Sequence, residues 1–357
     1  MTQIQTEPEV GDGSSSSEFS NSILDLDSVD DGRYTGLVLK VNSGLFVVQQ
    51  VNCLITETPP VMCTLRGNLR KKFSYSTSGS QPKRVTQAKQ PLNYDTAAVG
   101  DRVKYVLIPD GSGVIEEILP RRSRFARSSF RGAEQTLVTN LDQLVIVFAC
   151  AEPNPDPWRI DRWLVAAQST GIEPLLIANK RDKVDDKTFH DAFSEFQKIG
   201  YRVIATSAKT GVGLEELKAA LRDRISAFSG PSGVGKSSLL NAIQPGLMLA
   251  TGEVGTVTFK GRHTTTVREL LPLNCGGWVA DTPGLRNLEL LKMDREDLIE
   301  SFGEFTEHIE IACRFRDCKH VNEPGCNLKQ AVEAGTVSRR RYESFLRLAR
   351  ECETPVR

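Results

Sequence analysis

Apolar and polar residues alternate in five short runs near the start of the chain, at residues 34–41, 44–50, 61–65, 99–107 and 113–119. Alternation with period two sends one row of side chains into a core and the other toward solvent, so each run predicts a half-buried strand. Five short strands so close together predict a small barrel of the OB type over residues 33–120. Residues 74–93, rich in Ser, Gln, Lys and Pro, interrupt the pattern and predict an inserted loop. Upstream, residues 1–32 show no periodicity and carry four serines in a row at 14–17, which predicts a disordered tail.

The pattern changes near residue 144. Continuous apolar runs at 144–149, 175–178 and 201–205 are those of strands buried on both faces of a parallel sheet. Helical periodicity at 158–170 and 185–199 separates them, giving βαβ units with short connections. A further helix at 214–221, a strand at 224–228 and a last strand at 277–280 complete an α/β domain over residues 136–290. Beyond it, residues 291–357 predict a mainly helical domain whose end, 336–350, is a basic amphipathic helix.

At 357 residues the chain is long enough for two or three domains, and 39% hydrophobic with 25% charged residues describes an ordinary globular protein. No apolar run is long enough to span a bilayer and the N-terminus is too acidic for a secretory signal, so the expectation is a cytoplasmic protein without a membrane partner. The zero net charge hides an asymmetry: residues 1–32 hold eight acids and no Lys or Arg, leaving 45 basic against 37 acidic residues in the remainder. That surplus is compatible with nucleic acid as a partner and equally with a solvated surface. Residues 121–131 carry five arginines and no acid, so 121–135 reads as a basic linker in which Phe125 and Phe130 can stack on bases or pack on the barrel.

Chemistry enters with four motifs. Residues 230–237, Gly-Pro-Ser-Gly-Val-Gly-Lys-Ser, follow a strand and precede a helix, the context in which a glycine-rich loop cradles phosphates with backbone N–H groups. The binding set is Gly230, Pro231, Ser232, Gly233, Val234, Gly235, Lys236, Ser237 and Ser238, with Lys236 reaching the β- and γ-phosphates and the Ser237 hydroxyl ligating Mg²⁺. Asp281-Thr-Pro-Gly284 ends a hydrophobic strand, so Asp281 can hold Mg²⁺ through water while the Gly284 N–H approaches the γ-phosphate. Asn179-Lys180-Arg181-Asp182 reads the base: the Asp182 carboxylate can accept hydrogen bonds from guanine N1–H and its 2-amino group, which adenine lacks. Ser207 and Ala208 support the guanine from the other side. These parts occur in an unusual order, with the base reader ahead of the phosphate loop.

Between the phosphate loop and Asp281 lies Gly-Arg-His-Thr-Thr-Thr at 261–266, where the first switch belongs. Thr265 is the expected second side-chain ligand of Mg²⁺, with its neighbours as alternatives. His263 reads as a loop histidine, an interaction residue or a group that positions the attacking water. Leu285 stands where many GTPases carry a water-orienting glutamine, and an aliphatic side chain cannot do that. Slow intrinsic turnover, raised by a partner or by another residue, is the expectation. Near the C-terminus, Cys313, Cys318, His320 and Cys326 place three thiolates and an imidazole within 14 residues, the complement of a closed structural Zn²⁺ site.

Together, the small barrel, the order 179–206–230–265–281 of the nucleotide motifs, the switch sequence and the Cys-Cys-His-Cys module resemble the circularly permuted, ribosome-small-subunit-dependent GTPases of bacteria. The resemblance covers roughly residues 33–345. It implies a barrel that contacts ribosomal RNA, GTP hydrolysis stimulated by the small subunit, and a role in late maturation of that subunit near its decoding centre. It also makes His263, with Lys236 and Thr265, the catalytic set. The expected cofactors are one structural Zn²⁺ per chain and Mg²⁺ with GTP, and the expected state is a monomer. A permuted GTPase acting on the large subunit or on another structured RNA is the alternative, against which the barrel and the zinc cluster argue. The permutation further suggests that GTP ordering of residues 281–288 shifts the zinc module against the barrel.

Overall fold

The computed structural model describes residues 29, 30, 32–51, 58–70, 72–75, 85–89, 97–128, 134–247, 268–281, 295–309 and 313–353. Its first strands are β1 (Val29–Asp30), β2 (Arg33–Asn42), β3 (Leu45–Gln50) and β4 (Val61–Leu65), followed by β5 (Lys72–Tyr75), β6 (Val85–Lys89), β7 (Arg102–Leu107) and β8 (Gly113–Ile118). Strands β2, β3, β4, β8 and β7 pair in that order, and β7 returns to β2, closing a five-stranded barrel in which only β4 and β8 run parallel. The inward positions of the alternation, Val38, Phe46, Val48, Cys63, Val103, Tyr105 and Ile115, form its buried core. Two readings of the sequence change here. The stretch 74–93, expected as a loop, contributes to an antiparallel hairpin in which Lys72–Tyr75 pairs with Val85–Lys89. Val29–Asp30, inside the expected tail, pairs with β2 across a turn at Gly32.

The basic linker is also not a plain connector. β9 (Arg124–Ser128) and β10 (Glu134–Thr139) form a second antiparallel hairpin, and Phe125 is buried beneath it. Arg121 donates Nε and Nη2 to the buried Asp101, each at 2.7 Å, and Arg122 pairs with Asp142 at 2.9 Å. Arg121 is therefore committed within the protein, because a buried carboxylate must be neutralised, whereas the Arg122 pair is half open to solvent. Phe130 lies outside the described residues.

The α/β domain comprises β11 (Gln143–Ala149), α1 (Pro157–Gln168), β12 (Glu173–Asn179), α2 (Asp186–Lys198), β13 (Val203–Ala205), α3 (Leu214–Leu221), β14 (Ile225–Ser229), α4 (Lys236–Ile243), β15 (Arg268–Pro272) and β16 (Trp278–Asp281). Helices cover both faces of the sheet, one packed on Ile146, Phe148 and Leu176, the other on Val145, Val147 and Ile177. Asp156 caps α1 by accepting the Trp158 N–H, Pro157 opens the helix, and Asp185 caps α2 by accepting the Thr188 N–H. Strand order in space is β13-β12-β11-β14-β16-β15, and β15 then pairs with β2 of the barrel. The two sheets are thus one hydrogen-bonded surface, reinforced by Lys40 Nζ to Glu269 Oε2 at 2.5 Å.

The C-terminal part holds α5 (Arg295–Glu300), α6 (Thr306–Ile309), α7 (Asn327–Ala334) and α8 (Arg339–Glu353). Its core of Phe302, Phe305, Leu328, Phe345 and Leu348 incorporates Val165 from α1, so it is seated directly on the α/β domain. Among the described residues no helix is long and apolar enough to cross a membrane.

Candidate functional site

The separated nucleotide motifs converge at the C-terminal ends of parallel strands β11, β12, β13 and β14. Asn179, the last residue of β12, is buried and donates Nδ2 to the Val234 carbonyl at 2.9 Å, tying the base reader to the phosphate loop across 55 positions. Its Oδ1 accepts the Thr206 hydroxyl at 3.2 Å, and Ser207 Oγ donates to Asp182 Oδ1 at 2.6 Å. The Ser207 hydroxyl holds the exposed Asp182 carboxyl below its usual range, so the group is an anion ready to accept two donors. Ala208 follows, partly buried against the apolar cluster that contains Val234 and Leu239.

Lys180 adopts a left-handed backbone, φ +59°, which turns its side chain toward the phosphate loop. Its ammonium donates to the Gly233 carbonyl at 2.7 Å and to the Glu152 carbonyl. The Glu152 carboxylate in turn pairs with Lys183. Glu152 was not visible as part of this site in the sequence, because nothing in its local pattern marks it. It precedes α1 on a loop that only the sheet order brings alongside residue 180.

The phosphate loop runs from β14 into α4. Gly235 has φ +92°, and a Cβ on it would stand 2.5 Å from Asn179 Nδ2, so both conformation and space require glycine. Lys236 lies across the loop, with Nζ donating to the carbonyls of Gly230 at 2.8 Å and Pro231 at 2.6 Å. Ser232, Gly233, Ser237 and Ser238 are exposed around the mouth, while Val234 is buried beneath. The loop presents the start of α4 and a lysine to one point, an arrangement suited to polyphosphate. Asp281 ends β16, its backbone paired with Glu269 of β15. His263, Thr265 and Gly284 lie outside the described residues.

A second cluster is in the C-terminal part. The ligand atoms of Cys313, Cys318, His320 and Cys326 all lie within 4.8 Å of one another, a group that could hold a metal. His320 Nδ1 is 3.4 Å from Cys326 Sγ and 3.7 Å from Cys313 Sγ. Tetrahedral zinc, with bonds of about 2.0–2.3 Å, requires ligand separations of roughly 3.5–3.8 Å, so the donor set fits. Burial pushes the Cys318 thiol up to about 12 and the His320 imidazole below its ordinary value. The Tyr342 hydroxyl donates to the His320 carbonyl at 2.8 Å, joining the cluster to α8.

Helix α8 was expected to be a basic amphipathic helix, and it is one: Arg339, Arg347 and Arg350 are exposed, while Arg340 and Arg341 turn toward internal acids. Asp161 of α1, fully buried, accepts Arg340 Nη1 and Arg341 Nη1, each at 2.6 Å, and the Ser344 hydroxyl at 2.5 Å. Arg341, itself fully buried, also donates to Glu304 and stacks on Phe302, 4.5 Å from the ring centroid. Burial alone lowers its pKa, but Glu304 and Asp161 outweigh that and raise it above the usual arginine value. Glu195 of α2 takes Arg340 and Ser338. The cluster of Cys313, Cys318, His320 and Cys326 is thereby tied to α1 and α2, the helices on either side of residues 179–182.

A family model described as RsgA GTPase matches residues 118–291. The small ribosomal subunit biogenesis GTPase RsgA of Gemmatimonas aurantiaca is 45% identical over 319 residues, covering 89% of this chain and 97% of that protein. The protein of the same name from Moorella thermoacetica is 46% identical over 247 residues, 69% of this chain and 82% of its own. Among solved structures, YjeQ from Thermotoga maritima superposes with a TM-score of 0.70 at 36% identity, covering 90% of this chain and 98% of that one. YloQ, described as a circularly permuted GTPase, gives 0.69 at 29% identity, covering 92% and 98%. The segment 179–182, joined to the glycine-rich loop through Asn179 and Val234, meets those likenesses at one conclusion: the chain belongs to the RsgA GTPase family and is a GTP-hydrolysing enzyme.

Proposed function

We propose that the protein binds the small ribosomal subunit, hydrolyses GTP there, and uses the cycle to drive or check a late step of subunit maturation near the decoding centre. The hydrogen bond from Asn179 to Val234 carries the enzymatic half, because it makes one pocket of a permuted set of motifs. The names of the relatives from Gemmatimonas and Moorella supply the subunit. In this reading the barrel is of the OB type and faces ribosomal RNA, the protein acts in the cytoplasm as a monomer, and the Cys313 cluster binds a structural zinc ion.

Lys236 and the loop amides hold the β- and γ-phosphates, Ser237 and Thr265 hold magnesium, and Gly284 senses the γ-phosphate. Magnesium supplies charge neutralisation at the phosphate oxygens when bound with GTP. His263 positions the attacking water, the task that Leu285 cannot perform. The state of residues 281–288 then sets the relation between the C-terminal module, seated on α1 and α2, and the barrel.

The test is GTP turnover with purified small subunits, with large subunits and with neither. Stimulation by small subunits alone is expected, and stimulation by large subunits alone would overturn the proposal. Lys236→Ala should abolish turnover. Equal affinity for small subunits with GDP and with a non-hydrolysable GTP analogue would refute the coupling.

A further inference from the structure

We infer that the loop between Cys313 and Cys318 docks an unpaired nucleotide base on the face of Phe315, with Arg314, Arg316 and Lys319 holding the flanking phosphates. Phe315 is 42% exposed and stands apart from the apolar cluster that buries Phe302, Phe305 and Phe345. Stacking against a partner would bury the part of the ring that this loop leaves open to water. The neighbours say which partner. Within 314–319 there are three basic residues and one acid, Asp317, and all but Cys318 are exposed.

The loop is also built to hold the ring still. It is closed at both ends by members of the metal cluster. The Arg314 N–H donates to the Gly325 carbonyl at 3.2 Å, and the Cys318 N–H returns to the Phe315 carbonyl at 3.3 Å. The Arg314 guanidinium sits 5.7 Å from the Phe315 ring centroid, so cation and ring form one surface. A preset aromatic beside cations is the recognition chemistry of single-stranded nucleic acid: stacking accepts any base, and the cations follow the backbone. In a duplex the bases are already stacked and offer no free face, so the ligand class is an unpaired stretch of RNA. The inference rests on the proposal above only in taking RNA, rather than DNA, as the polymer.

The experiment uses the full zinc-loaded chain and a single-stranded RNA decamer carrying 2-aminopurine, with the matching duplex as comparator. Binding should quench the fluorophore. Phe315→Ala should weaken binding roughly tenfold or more and remove the quench without altering its salt dependence, while Phe315→Tyr retains both. Arg316→Gln should lower the slope of log affinity against log salt by about one. Phe315→Leu, which keeps apolar bulk and zinc content, should behave like Phe315→Ala if the aromatic face is what matters. Unchanged affinity and quench in the Ala and Leu variants would overturn the inference. So would equal binding of the duplex, or competition by polyglutamate as strong as that by RNA. If those variants bind RNA normally while small subunits still stimulate turnover, this inference falls alone. If no subunit stimulates turnover but the quench depends on Phe315, it stands and the proposed function falls.

Discussion

Replacing Asp161 by Ala should loosen the C-terminal module from the nucleotide-binding domain by a calculable amount. Asp161 is buried and accepts four hydrogen bonds from α8, three of them from the guanidinium groups of Arg340 and Arg341. Removing one partner of a buried ion pair costs about 3–5 kcal/mol, because the remaining charge is left desolvated. The lower end applies, since Arg341 keeps Glu304 and Arg340 keeps Glu195. About 3 kcal/mol corresponds to a fall of roughly a hundredfold in the protection of α8 amides, read by native-state hydrogen exchange over residues 339–353. Asp161→Asn retains acceptors for Ser344 and one arginine and should fall between wild type and Ala. Protection in Asp161→Ala within threefold of wild type, with zinc content unchanged, would show that the acid does not hold the module.

Three further outcomes follow from the geometry. Gly235→Ala should weaken GDP binding tenfold or more by titration calorimetry, since the strained backbone and the displaced Asn179 amide act together. Lys40→Glu should destabilise the barrel's seat on β15, and adding Glu269→Lys should restore it, a double-mutant cycle in thermal unfolding giving about 0.5–1 kcal/mol for this half-exposed pair. GDP affinity should stay flat from pH 8 to pH 5: Asp182 has a depressed pKa, so its anion persists until the pH falls to the lower end of the carboxylate range, and Ser207→Ala should bring the loss to higher pH.

The barrel strands were legible because their burial alternates, and the strands bearing the motifs because theirs is continuous; both patterns survive in a one-dimensional string. The convergence of Asn179 on Val234 was not spelled out by either motif; it depends on β12 and β14 flanking β11. Strand β15 went unrecognised because its run, Arg-Glu-Leu-Leu-Pro, shows no alternation. Its role comes from the two strands it joins. The arginines were the least readable residues. Arg121 and Arg341 look in sequence like any exposed basic residue, yet each answers a buried acid 20 and 180 positions away. A charge run discloses its sign but not which of its members are already spent on internal partners.

The pairing of β2 with β15 has a consequence for how the chain is made. Lys40 and Val41 lie on the barrel's first strand, and their hydrogen-bonding partners are Glu269 and Arg268. At about 5–20 residues per second, translation leaves that edge uncovered for roughly ten to forty-five seconds after the strand is made. An uncovered strand edge invites pairing with other nascent chains, and a lysine on it is a common defence. Lys40 thus serves twice, guarding the edge during synthesis and pairing with Glu269 once the two sheets have joined.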